Sequence, residues 1–185
     1  TLDPMGIPQK TLSKAQKNPF QNRWVREIVC AGSSQIDIAA ITSLADHHPT
    51  WRLHIVGRIK HKPPCCKNIH WYGETAFEEM LPYVAHADVA LAAFRNEPGV
   101  EYQADHSNRI LLYRHYGLPI LAPPRLANVD PAMFDYTMSD QRAVAANQPR
   151  KPMKIPDWAE LARRLVQKPV TLPAPEVSTL PAALV

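Results

Sequence analysis

The sequence predicts an α/β fold, a Rossmann-like parallel sheet with helices on both faces. Between residues 23 and 123, short apolar runs alternate with longer segments of helical period, which is the order of βαβ units. The apolar runs are continuous, as expected for strands that are covered on both faces. At 185 residues the chain is long enough for one such domain and too short for two.

Each predicted strand is an apolar run that stops at a glycine, a proline or a polar residue. The first run stops at Gly32-Ser33-Ser34 and the third at Gly73-Glu74. In parallel sheets, ligands bind beyond the carboxyl ends of the strands, so both turns are candidate site segments. The five predicted strands cover residues 27–31, 53–57, 69–73, 89–94 and 120–122.

The segments between the strands carry helix-start signals and apolar positions at helical spacing. Ser107 can cap a helix over 108–116, which Gly117 and Pro119 end. The polar stretch 95–106 ahead of this helix is predicted to be a long loop, of the kind that carries function. Two residue pairs have the spacing of a capping box: Ser34 with Asp37, and Thr75 with Glu78.

Proline content marks the organisation of the chain. The 19 prolines are about twice the usual share and concentrate outside the alternating region. The start, which lacks Met and runs directly into a loop, indicates a piece of a longer protein. The predicted parts are an N-terminal linker (1–22), a Rossmann-like domain (23–150), a C-terminal amphipathic helix (151–168) and a flexible Pro-rich tail (169–185).

Charge, cysteine content and hydropathy limit the function classes. The net charge of +4 suits a phosphate-bearing ligand or an anionic membrane surface without specifying either. No apolar run approaches the ~20 residues of a membrane span, and no signal peptide opens the chain. The three cysteines do not form a disulfide framework. We expect a cytoplasmic location, with peripheral attachment to the inner face of the plasma membrane as the alternative.

The strongest candidate site is the predicted helix start at Ser107-Asn108-Arg109. A helix start offers free backbone amides, and here a hydroxyl and a guanidinium stand beside them, which together match the oxygens of a diphosphate. The alternative is an ordinary N-cap followed by a solvated arginine. Glu74 could accept hydrogen bonds from a ribose or could pair with a helix dipole, and Ser33 could contact a ligand or only permit the turn.

Several familiar chemistries lack their motifs. The chain has no G-x-G-x-x-G, no P-loop and no recognisable Ser or Cys nucleophile motif. Glu97 and Glu101 favour a solvated loop face over an acid/base pair. The four candidate ligands of a zinc site are His61, Cys65, Cys66 and His70. We reject this site because its two cysteines are adjacent, whereas zinc-binding cysteines are usually separated by two to four residues.

Four segments carry a resemblance to a known family. Residues 104–113 read Ala-Asp-His-Ser-Asn-Arg-Ile-Leu-Leu-Tyr, 116–123 contain Gly-Leu-Pro before a short strand, and 68–74 and 83–88 are similar as well. These segments resemble the C-terminal, nucleotide-sugar-binding domain of GT-B-fold glycosyltransferases, and most closely the xanthan-type glucuronosyltransferase family. The resemblance covers roughly residues 24–125.

The resemblance implies that 23–150 is a nucleotide-sugar-binding domain with a UDP-sugar as donor. In the family, the turn at Ser33 lies by the uracil, the acidic residue at Glu74 contacts the nucleotide, and the helix start at 107–109 cradles the diphosphate. The general base belongs to an N-terminal domain, and neither metal nor cofactor is required. The chain departs from the family's residues at four positions: it has Phe94 in place of tyrosine, Asn108 in place of methionine, Arg109 in place of lysine and Leu112 in place of a glutamine-like residue.

The function predicted for the whole protein is transfer of a sugar from a UDP-sugar to a saccharide acceptor, expected to be lipid-linked, in bacterial polysaccharide synthesis. This chain alone is expected to be an incomplete active site whose partner is the N-terminal GT-B domain. One alternative is a nucleotide-sugar epimerase of the same fold. Another is a non-catalytic binding or assembly module, since Phe94 and Leu112 each remove a hydrogen-bonding group. A nucleic-acid partner is not expected, because aromatic and basic residues do not interleave.

Overall fold

The computed structural model describes residues 6–14, 16–59, 66–130, 133–137 and 152–167. Its strands are β1 (Arg26–Ala31), β2 (Trp51–Val56), β3 (Ile69–Gly73), β4 (Val89–Leu91), β5 (Ile120–Ala122) and β6 (Met133–Asp135). They form one sheet of order β3-β2-β1-β4-β5-β6, and each neighbouring pair is parallel. This arrangement confirms the predicted fold class.

Helices connect the strands and flank them. They are α1 (Gln9–Leu12), α2 (Ile38–His47), α3 (Phe77–His86), α4 (Gln103–His106), α5 (Asn108–His115), α6 (Pro124–Ala127) and α7 (Trp158–Gln167), with a 3₁₀ turn at Val100–Tyr102. None of the helices in the described ranges is both long and apolar enough to cross a membrane.

The sheet separates two apolar layers because alternate residues of each strand face opposite sides. Ile28 and Cys30 of β1 belong to the layer that contains the buried face of α2. Val29 and Ala31 belong to the layer that contains residues of α3 and α5. Coverage on both faces explains why the β1 sequence is a continuous apolar run.

Three details of the predicted elements are wrong. β6 was not expected, because a strand of three residues beyond Pro124 gives too short a periodic signal. The fourth strand ends at Leu91 rather than at 94, and Phe94 makes only an isolated antiparallel bridge with Ile36. The stretch 95–106 is a 3₁₀ turn and a short helix over half its length, rather than a loop throughout.

The capping predictions need correction as well. Asp37 itself is the N-cap of α2, and its side chain accepts a hydrogen bond from the Ala40 amide at 3.0 Å. The helix α3 begins after Ala76 without a side-chain cap, while the Thr75 hydroxyl donates to the Gly73 carbonyl at 3.3 Å. Ser107 does occupy the N-cap position of α5, but its side chain makes no capping hydrogen bond.

The first and last described segments lie side by side. Ile7 forms a parallel bridge with Asp157, and the Ile7 amide donates to the Pro156 carbonyl at 3.0 Å. The Gln9 amide donates to the Asp157 carboxylate at 3.0 Å. Ile7 and Leu12 are buried in the same layer as α3 and α5. The predicted tail 169–185 lies outside the described residues.

Candidate functional site

A cavity of about 480 Å³ opens beyond the carboxyl end of β1, beside the start of α5. Five of the predicted site residues line it, whereas Glu74 does not. The polar part of the lining consists of Ser33, Ser34, Gln103, Ser107, Asn108 and Arg109. The strand end and the helix start are therefore brought together around one space, as the parallel topology requires.

Arg109 is the charged residue of the cavity lining within the described chain, and it is only 8% exposed. Its Nη2 atom donates to the Ser34 carbonyl at 3.2 Å, and its guanidinium carbon lies 4.5 Å from the centre of the Phe94 ring. Its Nη1 atom is buried and has no hydrogen-bond partner among the described residues. A buried guanidinium with one unused donor is costly unless something supplies an acceptor.

Glycines make this packing of the strand ends possible. Gly32 has a φ of +92°, and a Cβ there would lie 3.4 Å from Nη2 of Arg109. Gly57 has a φ of +139°, and its Cβ would lie 3.0 Å from the carbonyl carbon of Gly32. A side chain at either position would be strained and crowded. The turn after β1 consequently forms a floor that fits closely against β2 and Arg109.

The start of α5 adds a second electrostatic feature. Ser107 is buried and Asn108 is exposed, and both line the cavity. Because Ser107 makes no side-chain cap, its hydroxyl is not committed to the first-turn amides. Those amides have no partner within the helix, and they carry the positive end of its dipole.

An apolar part of the lining was not anticipated from the sequence. It is formed by Ile7, Pro8, Phe77, Met80 and Trp158. Phe77 is 36% exposed and Trp158 is 40% exposed. The amphipathic character of α7 was predicted, but no local pattern indicates that a helix near residue 158 pairs with residues near position 7.

Glu74 is exposed and stands outside the cavity lining. It follows the carboxyl end of β3, where the Gly73 carbonyl accepts a hydrogen bond from the Gly57 amide at 2.7 Å. Glu74 thus lies at the same edge of the sheet as Ser33. Phe77, three residues further along the chain, does line the cavity. Contact between its carboxylate and a nucleotide stays a prediction.

The described part of the lining offers no acid/base pair. Among the described residues that line the cavity, none carries a carboxyl or imidazole group. Behind it, the Tyr113 hydroxyl accepts from the Ala31 amide at 2.7 Å and donates to the Leu91 carbonyl at 3.3 Å. Burial raises the pKa of Tyr113 and that of the Cys30 thiol, so both stay protonated near neutral pH.

The other acidic and metal-ligand candidates lie elsewhere. Glu101 pairs with Arg125 at 3.0 Å and accepts from the Gly99 amide at 2.9 Å, contacts that stabilise the loop. The described residues contain no group of three or more His, Cys, Asp or Glu side chains arranged to hold a metal ion. Of the rejected zinc ligands, His61 and Cys65 lie outside the described ranges.

A buried polar cluster under the sheet was also missed. Glu27 and His54 are 0% and 2% exposed. Glu27 Oε2 lies 2.8 Å from His54 Nε2, and His54 Nδ1 lies 2.8 Å from the Tyr72 hydroxyl. The Trp24 amide donates to Glu27 Oε1 at 2.9 Å. A glutamate and a histidine inside neighbouring apolar runs are the available sequence signal, because such residues are rarely buried unless paired.

Comparison with known proteins gives one curated relative and several solved structures. The relative is the UDP-glucuronate:glycolipid 2-beta-glucuronosyltransferase of Xanthomonas campestris pv. campestris, 27% identical over 119 residues. The match covers 64% of this chain and 30% of the relative, so the chain spans about a third of the relative's length. No family model matches the chain.

The solved structure of a glycosyltransferase agrees with this chain in fold. The glycosyltransferase AviGT4, involved in avilamycin A biosynthesis, superposes with a TM-score of 0.54 at 14% identity, over 88% of this chain and 51% of that protein. The glycosyltransferase GlyE of Streptococcus pneumoniae TIGR4 gives a TM-score of 0.42 at 16% identity, over 68% of this chain and 32% of that protein. The relative and the likeness in fold support the resemblance predicted from the sequence: the chain is similar to a glucuronosyltransferase in sequence and to a glycosyltransferase in fold.

Proposed function

We propose that this domain holds the donor of a sugar transfer, a UDP-sugar whose diphosphate sits between Arg109 and the start of α5. The observation that carries the proposal is the Nη1 atom of Arg109, which is buried beside the cavity without a hydrogen-bond partner among the described residues. A phosphate oxygen would supply the missing acceptor. Charge-assisted hydrogen bonds of this kind are roughly twice as strong as neutral ones.

The surroundings of Arg109 support an anion rather than a neutral ligand. No carboxylate lines the described cavity to neutralise the guanidinium. The uncapped first turn of α5 adds amide donors and the positive end of a helix dipole on the same side. Two independent sources of positive potential therefore converge near Asn108, and a diphosphate is the part of a nucleotide sugar that matches them.

The same groups suit the chemistry of transfer. When the bond between the sugar and the diphosphate breaks, negative charge develops on the leaving diphosphate. A fixed guanidinium and helix amides stabilise that charge without covalent chemistry. The proton of the acceptor hydroxyl must go to a base outside the described lining, which fits the expectation that the base belongs to another domain.

The identity of donor and acceptor is proposed from the relative. Its name specifies UDP-glucuronate as donor and a glycolipid as acceptor. By analogy, we assign a UDP-sugar and a lipid-linked saccharide acceptor to the complete protein, in bacterial polysaccharide synthesis. A lipid-linked acceptor would bring the protein to the inner face of the membrane as a peripheral partner.

Titration calorimetry with UDP tests the proposal. We expect UDP to bind more tightly than GDP or ADP, and Arg109→Ala to weaken UDP binding by about 10- to 100-fold, the range for a hydrogen bond to a charged group. The matched control is Arg125→Ala, because Arg125 is an exposed arginine paired with Glu101 outside the cavity. Equal affinity of Arg109→Ala and the parent protein would show that the diphosphate lies elsewhere.

A further inference from the structure

Phe94 and Arg109 form a contact that the resemblance does not account for. The guanidinium carbon lies 4.5 Å from the centre of the ring, within the range of a cation–π interaction. The ring is only 2% exposed, whereas Arg109 is 8% exposed. Phe94 therefore has little surface left for a ligand, and its ring lies against the guanidinium.

The backbone around Phe94 is held independently of the ring. The Phe94 amide donates to the Ala92 carbonyl at 2.7 Å, and the Phe94 carbonyl accepts from the Tyr136 hydroxyl at 3.2 Å. Phe94 also bridges to Ile36. The aromatic ring is thus presented from a fixed point, and a change of side chain at this position leaves these backbone contacts in place.

Arg109 is consequently held on two sides. The guanidinium carbon lies over the Phe94 ring, 4.5 Å from its centre, and the Ser34 carbonyl accepts from Nη2 at 3.2 Å. Beside these two contacts, Nη1 is a buried donor without a partner among the described residues. A planar guanidinium pinned in this way loses little further freedom when an oxyanion arrives, which favours binding.

We infer that Phe94 is a positioning residue: its ring fixes the Arg109 guanidinium against the Ser34 carbonyl, so that an entering oxyanion meets a preset charge. The inference rests on the proposed function in taking that oxyanion to be a diphosphate. It assigns to position 94 a role through Arg109 instead of direct contact with the donor. An aliphatic side chain there would leave the charge in place but free to reorient.

Three probes separate this role from others: inorganic pyrophosphate, UDP and uridine, each titrated by calorimetry or ligand-observed NMR. Phe94→Met keeps an apolar side chain without a π face. It should weaken pyrophosphate and UDP by about tenfold and leave uridine unchanged. Phe94→Tyr keeps the ring and should stay within about twofold of the parent protein.

The matched control is Phe20→Leu, because Phe20 is also buried but packs on His54, outside the cavity lining. Should Phe94→Met fold poorly, a fluorinated phenylalanine placed at position 94 keeps the shape and weakens the negative face of the ring. Its expected effect has the same sign.

The inference is overturned if uridine and UDP weaken by the same factor, or if pyrophosphate binding does not respond to the loss of the π face. Failure of the proposed function looks different: the parent protein would then bind pyrophosphate no more weakly than UDP. In that case the pyrophosphate series still tests position 94. If the parent protein binds none of the three probes, both proposals fall.

Discussion

The two ends of β1 each bury a polar group, and the two groups are treated differently. At the amino end, Glu27 accepts hydrogen bonds from the Trp24 amide and from His54, whose other ring nitrogen contacts Tyr72. Beyond the carboxyl end, Arg109 keeps a donor without a partner among the described residues. A buried group that is satisfied within the chain contributes to folding, whereas one that is left open costs stability unless a ligand supplies its partner. The contrast distinguishes the two roles better than burial or charge alone.

The largest effect on stability is expected at Glu27, at the amino end of β1. Glu27→Ala leaves the buried His54 ring without the hydrogen-bond acceptor of its Nε2 atom and should lower the free energy of unfolding by about 1–3 kcal/mol. Urea denaturation measures this loss, with Glu79→Ala on the exposed side of α3 as the control. A loss below about 1 kcal/mol would show that the cluster does not support the fold.

The same cluster makes stability depend on pH. Burial lowers the pKa of His54, although the hydrogen bond to Glu27 opposes this shift. The unfolded state then binds a proton more readily than the folded state, so stability is full above an unfolded pKa of about 6.5 and falls as the pH drops below it. Urea denaturation at pH 7.5 and 5.5 should show a smaller fall for His54→Gln than for the parent protein. His115, whose pKa is also lowered by burial, contributes a fall of the same sign in both proteins, so the difference between them isolates His54.

A smaller effect on stability is expected at the N-cap residues of α2 and α5, one of which makes a capping hydrogen bond while the other does not. Asp37 caps α2 with a hydrogen bond to the Ala40 amide, and Asp37→Ala should cost about 1 kcal/mol of unfolding free energy. Ser107 makes no such bond at the start of α5, so Ser107→Ala should change stability by less than about 0.5 kcal/mol. Thermal unfolding of both variants measures the difference. Equal losses of unfolding free energy would mean that Ser107 caps α5 in solution and that the first-turn amides of α5 are already hydrogen-bonded.

The smallest change in stability is expected beyond the carboxyl end of β1, at Arg109. Arg109→Ala removes a buried charge that has an unpaired donor, which stabilises the fold, and it also removes the contacts with Phe94 and Ser34, which destabilises it. The two effects offset each other. The free energy of unfolding should change by less than about 1 kcal/mol, even though UDP binding weakens. Chemical denaturation without ligand checks this. A loss as large as that of Glu27→Ala would assign Arg109 to the fold and remove the contrast.

Local sequence patterns predict the parts of this molecule that depend on local physics. The strands near residues 28, 53 and 69 are continuous apolar runs, and the helix start at Ser107 carries its own signal. The topology then places Ser33 and Arg109 around one cavity, as expected for strand ends of a parallel sheet.

What the sequence does not reveal depends on contacts between distant segments. Ile7 and Trp158 share the cavity lining because the first and last described segments pair, and neither segment shows this in its own pattern. The packing of Phe94 on Arg109 depends on where a strand stops and a helix begins. The family resemblance marks position 94 as a site position, but it does not indicate which residue the Phe94 side chain contacts.

Gly57 shows how the cavity can change and how it cannot. Any side chain there would meet the Gly32 backbone at 3.0 Å and would have to adopt a φ of +139°, so the position is closed to substitution on two grounds. Side chains such as Trp158 and Phe77 face no such restriction, since each is more than a third exposed. Descendants of this sequence that change their ligand would therefore keep the glycine turn and diverge at exposed lining residues such as Trp158 and Phe77.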